Sequence, residues 1–483
     1  MTTVERGRTA MMRTGLSKPL SIALADDLLT PDTSVFDYGC GRGGDVLRLK
    51  TLGYDASGWD PNHAADLPRK EADVVNLGYV VNVIEDPHER VSVLHSAWSL
   101  ARRALIVAAR PDWEARYVQG RSHGDGIITT KGTFQKFFKQ DELRAWIDNY
   151  LTVRSIAAAP GVFYVFREDS TSHTFLANRV RNRRAYRRVE IDESLLETQR
   201  SALQPLVDFV AERGRVPDVT EIPNSDELKN TFPTVKHAIA VIRQTIPNDT
   251  WARAQEAARR DLTVYLALTA FGGRTKFTNL PEDIQFDVKA LYDSYRAACE
   301  SADQLLFSLA DQAALNKACS SAAFGKLTPE ALYVHVSAIN RLDPVLRVYE
   351  GCGRALTGTV DGATLVKLNR VEPKVSYLNY PEFDRDPHPA LNTSLRADLR
   401  RLHVKYTDFG SSQNPPILHR KETFVADDYP RRDTFARLTS QEERASLLDD
   451  ARAIGTQERW KARLDQAGLR LAGHRLVRAR PAE

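Results

Sequence analysis

The stretch Asp37-Tyr38-Gly39-Cys40-Gly41-Arg42-Gly43-Gly44 constrains this chain more than any other. It follows a short β-prone run, Ser34 to Tyr38, and precedes Asp45 to Leu49, which has helical character, so the local order is strand, glycine turn, helix. Glycines at these positions let the backbone approach a ligand where any Cβ would clash, and the helix start behind them offers free N–H groups. A nucleotide-type cofactor fits such a corner. A lone Gly-x-Gly is weak evidence, but a second run, Tyr54 to Trp59, ends at Asp60, roughly 20 residues after the first glycine, where a carboxylate accepts hydrogen bonds from ribose hydroxyls.

The apolar run Ala72 to Gly78 adds a third strand with a polar end. Asp86-Pro87 opens a helix, with Asp86 as N-cap and Val91, Leu94, Trp98 and Ala101 as its apolar face. Ala104 to Ala109 reads as the next strand, Gln140 to Tyr150 as a helix, and Val153 to Ala157 with Val162 to Phe166 as a hairpin around Ala159-Pro160-Gly161. The terminal hairpin and the Gly-x-Gly-x-Gly-Gly spacing both set this domain apart from an all-parallel, NAD-binding one.

Phe36-Asp37-Tyr38-Gly39-Cys40-Gly41, Gly58-Trp59-Asp60-Pro61 and the stretch Asn76 to Asp86 resemble the motifs of class I S-adenosylmethionine-dependent methyltransferases. The run Asp73 to Asp86, with Thr133-Phe134-Gln135-Lys136, Val348-Tyr349-Glu350-Gly351-Cys352 and Asn414 to Glu422, resembles the methyltransferases associated with bacterial DNA phosphorothioation, over nearly the full length. The resemblance implies an α/β, Rossmann-like domain with a terminal β-hairpin, followed by helical and mixed α+β accessory domains, and S-adenosylmethionine as cofactor. It implies Asp37, Gly39, Cys40, Gly41, Arg42 and Gly43 near the methionine portion, Asp60 with Pro61 at the ribose, and Asn76 and Leu77 beside the sulfonium and amino group. Only twelve residues separate Asp60 from Asp73, so the part of the sheet that normally holds adenine is expected to be shortened.

For transfer to an exocyclic amine, Asn76 and Tyr79 have the spacing of an amine-hydrogen acceptor followed by a stacking aromatic, and they are the catalytic candidates. The alternative is that Asn76 caps a strand beside the cofactor while Tyr79 packs locally. Asn414-Pro415-Pro416-Ile417 has two prolines but no aromatic, which favours a rigid turn, with His419, Arg420 and Lys421 beside it as candidate phosphate contacts. The stretch Arg110 to Lys136 suits a lid, with His123 and Asp125 as acid or base or as a solvated tip. Arg13, Ser17 and Lys18 are placed to cover the cofactor from the N-terminal side.

At 483 residues the chain calls for two or more domains, expected at 1–170 (methyltransferase), 171–250 (basic linker and small helical module), 251–330 (helical) and 331–483 (mixed). Six arginines, Arg179, Arg181, Arg183, Arg184, Arg187 and Arg188, crowd the first boundary and suit either phosphate binding or a solvated connector. Leu203 to Arg243 reads as short helices like those of DNA-binding modules, Trp251 to Lys326 as a helical bundle, and the C-terminal part as strands within Leu356–Leu368 and Ser376–Pro381 with helices at Gln441–Ala453 and Gln457–Ala467. Four scattered cysteines without a Cys-x-x-Cys pair argue against zinc, and no metal is expected. With no apolar run long enough for a membrane and no secretory h-region after Arg6, Arg8 and Arg13, a cytoplasmic protein is expected. Duplex DNA, and other proteins of the phosphorothioation system, are the expected partners; methylation of a small molecule, RNA or protein, or a non-catalytic cofactor sensor that binds DNA, are the alternatives.

Overall fold

Apolar runs bounded by glycine and polar turns become strands where both faces are covered. β1 (Val35–Tyr38) is buried along its whole length and β3 (Ala72–Gly78) along most of it. In this computed structural model, which describes residues 4–10, 13–180, 197–222, 228, 230–232, 234–245, 247–450 and 453–479, they form the centre of a six-stranded sheet. β2 (Ala56–Trp59) and β4 (Ala101–Ala108) flank them in parallel, and the hairpin β8 (Ser155–Ala159) and β9 (Val162–Phe166) completes the order β2-β1-β3-β4-β9-β8, with β9 antiparallel to β4. This is the Rossmann-like α/β sheet with terminal hairpin that the sequence predicts. Among the described residues, β2 is the sheet's outer strand: between Asp60 and β3 the chain makes only a turn, closed by the Asp60–Ala64 bridge, so the shortening read from the spacing is present.

Helix α1 (Lys18–Ala25) precedes β1, while α2 (Gly44–Thr51), α3 (Pro87–Leu100) and α4 (Gln140–Leu151) lie between strands. The Asp86 side chain caps α3 by accepting from His88 N–H at 2.9 Å, as its place before Pro87 requires. Phe36, Val75, Leu77, Leu94, Leu105, Val107, Ile147 and Phe163, all fully buried, fill the space between the sheet and its helices. Between β4 and α4, the expected lid is a small antiparallel sheet of β5 (Gly120–His123), β6 (Gly126–Thr129) and β7 (Phe134–Gln135).

By internal packing the chain divides into two units, one of Met1–Glu168, Leu315–Leu342 and Tyr349–Glu483, the other of Asp169–Ala314 and Asp343–Val348. In the first, a second six-stranded sheet runs in antiparallel sequence order through β10 (Lys326–Leu327), β11 (Ala331–His335), β12 (Leu365–Asn369), β13 (Lys374–Asn379), β14 (Thr393–Asp398) and β15 (His403–Asp408). Residues of this part touch the first sheet's domain directly: Tyr406 stacks on Trp113 at 5.3 Å, and Thr359 N–H donates to the Ala158 carbonyl of β8 at 2.8 Å.

Two expected C-terminal elements are displaced. Residues 356 and 357 end the helix Pro344–Thr357, and the strand begins only at Leu365. The helix placed at Gln441–Ala453 is Arg432–Arg444 instead, because Phe435, Leu438 and Glu442 form its buried stripe, whereas Leu447 and Leu448 enter a separate core cluster after the turn at Ser446.

The second unit is helical over its described residues, with Asp169–Val180, Glu197–Arg213, Val235–Thr245, Asn248–Thr269, Glu282–Leu291 and Tyr295–Phe307 as its longer elements. Leu203, Leu206, Val210, Leu228, Phe232 and Ile242 share one apolar cluster there. Among the described residues no helix is long and apolar enough to cross a membrane.

Candidate cofactor site

At the carboxyl end of the parallel strands, where β1, β2 and β3 run into loops, the first unit has a cavity of about 610 Å³. That volume lies within the roughly 300–1,000 Å³ typical of small-ligand sites. Its floor is the glycine loop. Gly39, Gly41 and Gly43 have φ of +87°, +53° and +73°, a left-handed conformation at alternate residues that side chains with a Cβ adopt at a cost.

The loop is held from below by β2, since Gly39 and Cys40 N–H both donate to the Trp59 carbonyl at 2.8 and 3.1 Å. Asp60 fastens it from the side. One carboxylate oxygen accepts Gly41 N–H at 3.0 Å, and the other accepts the N–H groups of Asn62 and His63 at 2.8 and 3.0 Å. The acid is therefore aimed by three backbone donors at the cavity rim.

Of the residues expected at the cofactor, Gly39, Cys40, Gly41, Arg42, Asp60 and Pro61 line the cavity, and Tyr79 joins them from the end of β3. Gly43 caps the start of α2. Asp37, Asn76 and Leu77 are not among the lining residues. Leu77 is fully buried in the core, and Asn76 turns its amide to Asp37, donating from Nδ2 to Oδ1 at 2.8 Å between adjacent strands in register. The Asn76 donor atom is thereby engaged with the β1 partner, while its acceptor atom, Oδ1, is buried without a hydrogen-bond partner. Tyr79 sits on a left-handed backbone (φ 63°) with Arg13 over its ring at 5.7 Å, and burial pushes its hydroxyl up to about 12.

Burial raises the Asp37 carboxyl to about 7, opposed by the Asn76 hydrogen bond. A raised carboxyl binds its proton more tightly in the folded state, so its contribution is complete below the ordinary carboxylate range and is lost as pH rises through about 7. Asp37→Asn keeps the Asn76 bond and removes the charge. The variant is expected to match wild type in urea unfolding near pH 4 and to exceed it at pH 8 by on the order of 2–4 kcal/mol, the range that a carboxyl raised to about 7 allows. A difference independent of pH would exclude this account. Burial likewise keeps Cys40 a thiol, pushed up to about 12.

The N-terminal segment contributes more wall than its sequence suggests. Arg6, Gly7, Thr9, Ala10 and Arg13 line the cavity, and Arg6 is clamped by Glu89 at 2.5 and 2.8 Å and by Glu85 at 2.9 Å. Its only advance signal is the arginine content. Ser17 and Lys18, expected beside Arg13, lie away from the lining: Ser17 N–H donates to Asp45, and Lys18 reaches the Pro160 carbonyl at 3.5 Å. Trp59, Asn62, His63, Arg69, Val80 and Val83 also line the cavity, with Arg69 over the Trp59 ring at 4.0 Å.

In the small β5–β7 sheet, Asp125 forms a two-pronged pair with buried Arg90 at 2.5 and 2.6 Å, which holds its carboxyl down to about 2 and makes it a poor base. Asn414 accepts Glu458 N–H at 3.0 Å at the start of the helix Gln457–Gln466, and Pro416 and Ile417 form β-bridges with Thr456 and Ala390, so the Pro-Pro segment is extended rather than the expected turn and is taken up in packing. His419 and Lys421, expected to face phosphate, are buried instead. Lys421 donates to the Phe383 and Asp386 carbonyls at 2.6 Å each, and only Arg420 of the three remains at the surface, paired with Glu443. Arg179 lies over the Phe175 ring at 4.3 Å, while Arg181, Arg183, Arg184, Arg187 and Arg188 lie outside the described residues.

No family model and no curated protein matches the sequence. Among solved structures, the chain is similar to magnesium protoporphyrin IX methyltransferase from Synechocystis with bound SAH (14% identity, 34% of this chain and 94% of that one, TM-score 0.24). It is also similar to the CcbJ methyltransferase from Streptomyces caelestis (13% identity, 32% and 90%, TM-score 0.25) and to a possible histamine N-methyltransferase from Thermotoga maritima (15% identity, 34% and 92%, TM-score 0.22).

Proposed function

We propose that the chain binds S-adenosylmethionine in the cavity at the end of β1–β3 and transfers its methyl group. The observation that carries this reading is the convergence of the left-handed glycine loop and the Asp60 carboxylate on one rim of a small-ligand cavity. When bound, the cofactor supplies a methyl group on a positively charged sulfur, open to in-line displacement, so that orientation of the acceptor does most of the work. Asp60 is the acceptor for the ribose hydroxyls, already fixed by three backbone donors. Val80, Val83 and Ile84 give the cavity an apolar side suited to adenine, and Tyr79 lines it beside them.

The wild-type chain is expected to bind S-adenosylhomocysteine in a calorimetric titration and not to bind NAD. Asp60→Ala is expected to weaken the binding by roughly 10–150-fold, because a hydrogen bond to a charged group contributes about 1.5–3 kcal/mol. Binding of NAD, or affinity unchanged in Asp60→Ala, would overturn the assignment.

Duplex DNA is the acceptor we propose, in connection with a phosphorothioation system. Its support is the sequence resemblance over nearly the full length and the arginine-rich stretch from Arg179 to Arg188. Transfer of labelled methyl to duplex DNA with and without phosphorothioate linkages tests it. Label that enters DNA in wild type and not in Asp60→Ala supports it, and label that enters RNA, protein or a small molecule but not DNA replaces it.

A further inference from the structure

Three segments far apart in sequence bring two imidazoles and a carboxylate together inside the C-terminal part of the first unit. His388 lies between two prolines, His419 follows the bridged segment Pro416–Ile417, and Glu442 sits on the helix Arg432–Arg444. All three are buried, Glu442 completely, and their ligating atoms lie within 4.8 Å of one another.

The hydrogen bonds around them determine which atoms face inward. A carbonyl only accepts, so His388 Nδ1–H donates to the Leu418 carbonyl at 2.9 Å and His419 Nε2–H donates to the Ile454 carbonyl at 2.8 Å. Each neutral ring then turns its lone pair toward the other residues, His388 by Nε2 and His419 by Nδ1. This is the arrangement in which a metal-ligating histidine is oriented through its far nitrogen by a backbone carbonyl. His388 Nε2 meets Glu442 Oε1 at 2.7 Å, where one proton suffices. That proton leaves His419 Nδ1 and Glu442 Oε2 buried without a hydrogen-bond partner. Both are acceptors, and a cation between them satisfies both.

We propose that His388, His419 and Glu442 form a binding site for a divalent transition-metal ion, zinc in its four-coordinate form. Two imidazole nitrogens and one carboxylate oxygen are a zinc donor set; bonds of about 2.0–2.2 Å put tetrahedral donor atoms roughly 3.3–3.6 Å apart, so the His388–Glu442 contact at 2.7 Å opens and the wider separations, up to 4.8 Å, close. Iron(II) uses the same donors with several open positions. Here the Trp460 ring packs 4.6 and 4.7 Å from the two imidazoles and the site is shut from solvent, which disfavours a metal that needs several open positions. The ion ties the loop around His388, the segment Asn414–Lys421 and the helix Arg432–Arg444 into one body. The scattered cysteines gave no hint of it, because none of the ligands is a cysteine and none lies near another in sequence.

The test uses the full-length chain, stripped with a chelator and titrated with zinc chloride. Wild type is expected to bind one zinc per chain, to gain several degrees in Tm on doing so, and to show the visible absorption of a four-coordinate site when cobalt(II) replaces zinc. Glu442→Gln keeps the shape and a hydrogen bond to His388 but removes the anionic ligand. It is expected to weaken zinc binding by at least about 100-fold, beyond the roughly 10–100-fold typical of losing an outer-shell partner. If that variant does not fold, His419→Ala, which leaves the His388–Glu442 pair in place, is compared in the same way. Absence of zinc binding by wild type, a zinc-induced Tm gain equal in wild type and variant, or preference for iron(II) over zinc overturns the proposal.

Discussion

Gly39→Ala is expected to weaken cofactor binding by roughly 30-fold to several-thousand-fold, whereas Gly43→Ala, four residues on in the same loop, is expected to lose about 5- to 30-fold. Both glycines are left-handed, so both variants carry the strain of about 1–2 kcal/mol that a Cβ incurs there. Only one of them collides. A Cβ on Gly39 would stand 2.4 Å from Val80 Cγ2, while a Cβ on Gly43 meets nothing within 4 Å. Relief of that collision moves the loop off the β2 carbonyl that holds it or pushes Val80 into the cavity, and overpacking of this kind costs about 1–3 kcal/mol more. The sum, about 2–5 kcal/mol, corresponds to a loss of roughly 30-fold to several-thousand-fold. Titration with S-adenosylhomocysteine checks both variants, with circular dichroism to establish that each is folded. The double variant Gly39→Ala, Val80→Ala removes the colliding methyl and is expected to recover part of the affinity; equal loss in Gly39→Ala and Gly43→Ala would mean that backbone strain alone governs the loop.

Arg215→Ala is expected to destabilise the helical unit by about 3–5 kcal/mol, the range measured when one partner of a buried ion pair is removed. Arg215 is buried, and its guanidinium donates to Asp287 at 2.6 Å and to both oxygens of Glu221 at 2.7 Å. It also lies over the Phe209 ring at 5.1 Å. One side chain thus joins the helix Glu197–Arg213, which ends at left-handed Gly214, to the turn at Glu221 and to the helix Glu282–Leu291. Without it, Glu221 loses two charged bonds while staying mostly buried. Arg215→Lys is expected to recover little, since an ammonium cannot span a carboxylate with two parallel bonds and reach a second acid as well. Hydrogen exchange read by mass spectrometry separates this from global unfolding: peptides of these two helices lose protection and those of β1 to β4 keep it. Uniform loss across the chain, or none, contradicts the assignment.

The strand–glycine–helix corner, the acid at Asp60, the capped helix at Asp86-Pro87 and the terminal hairpin were all legible in the residues, and so was the missing outer part of the sheet. Each depends on neighbours within a few residues, where backbone sterics, capping and side-chain alternation act directly. The C-terminal helix was misplaced by about nine residues at its start because Leu447 and Leu448 carry as strong an apolar signal as Phe435 and Leu438, and local periodicity does not say which cluster a leucine will join.

Asn76 illustrates the limit at the site itself. Its position at the end of an apolar strand was readable, but its partner was not: Asp37 lies 39 positions earlier and becomes its neighbour only through the register of β1 against β3. The same holds for Arg6 against Glu85 and Glu89, which closes the cavity with a segment that has no motif of its own, and for His388, His419 and Glu442. Spacing along the chain encodes local geometry, and from it come the fold class and the cofactor corner. Which distant side chains share a buried space is decided when the elements pack, because burial, not sequence distance, then sets which polar groups must satisfy one another.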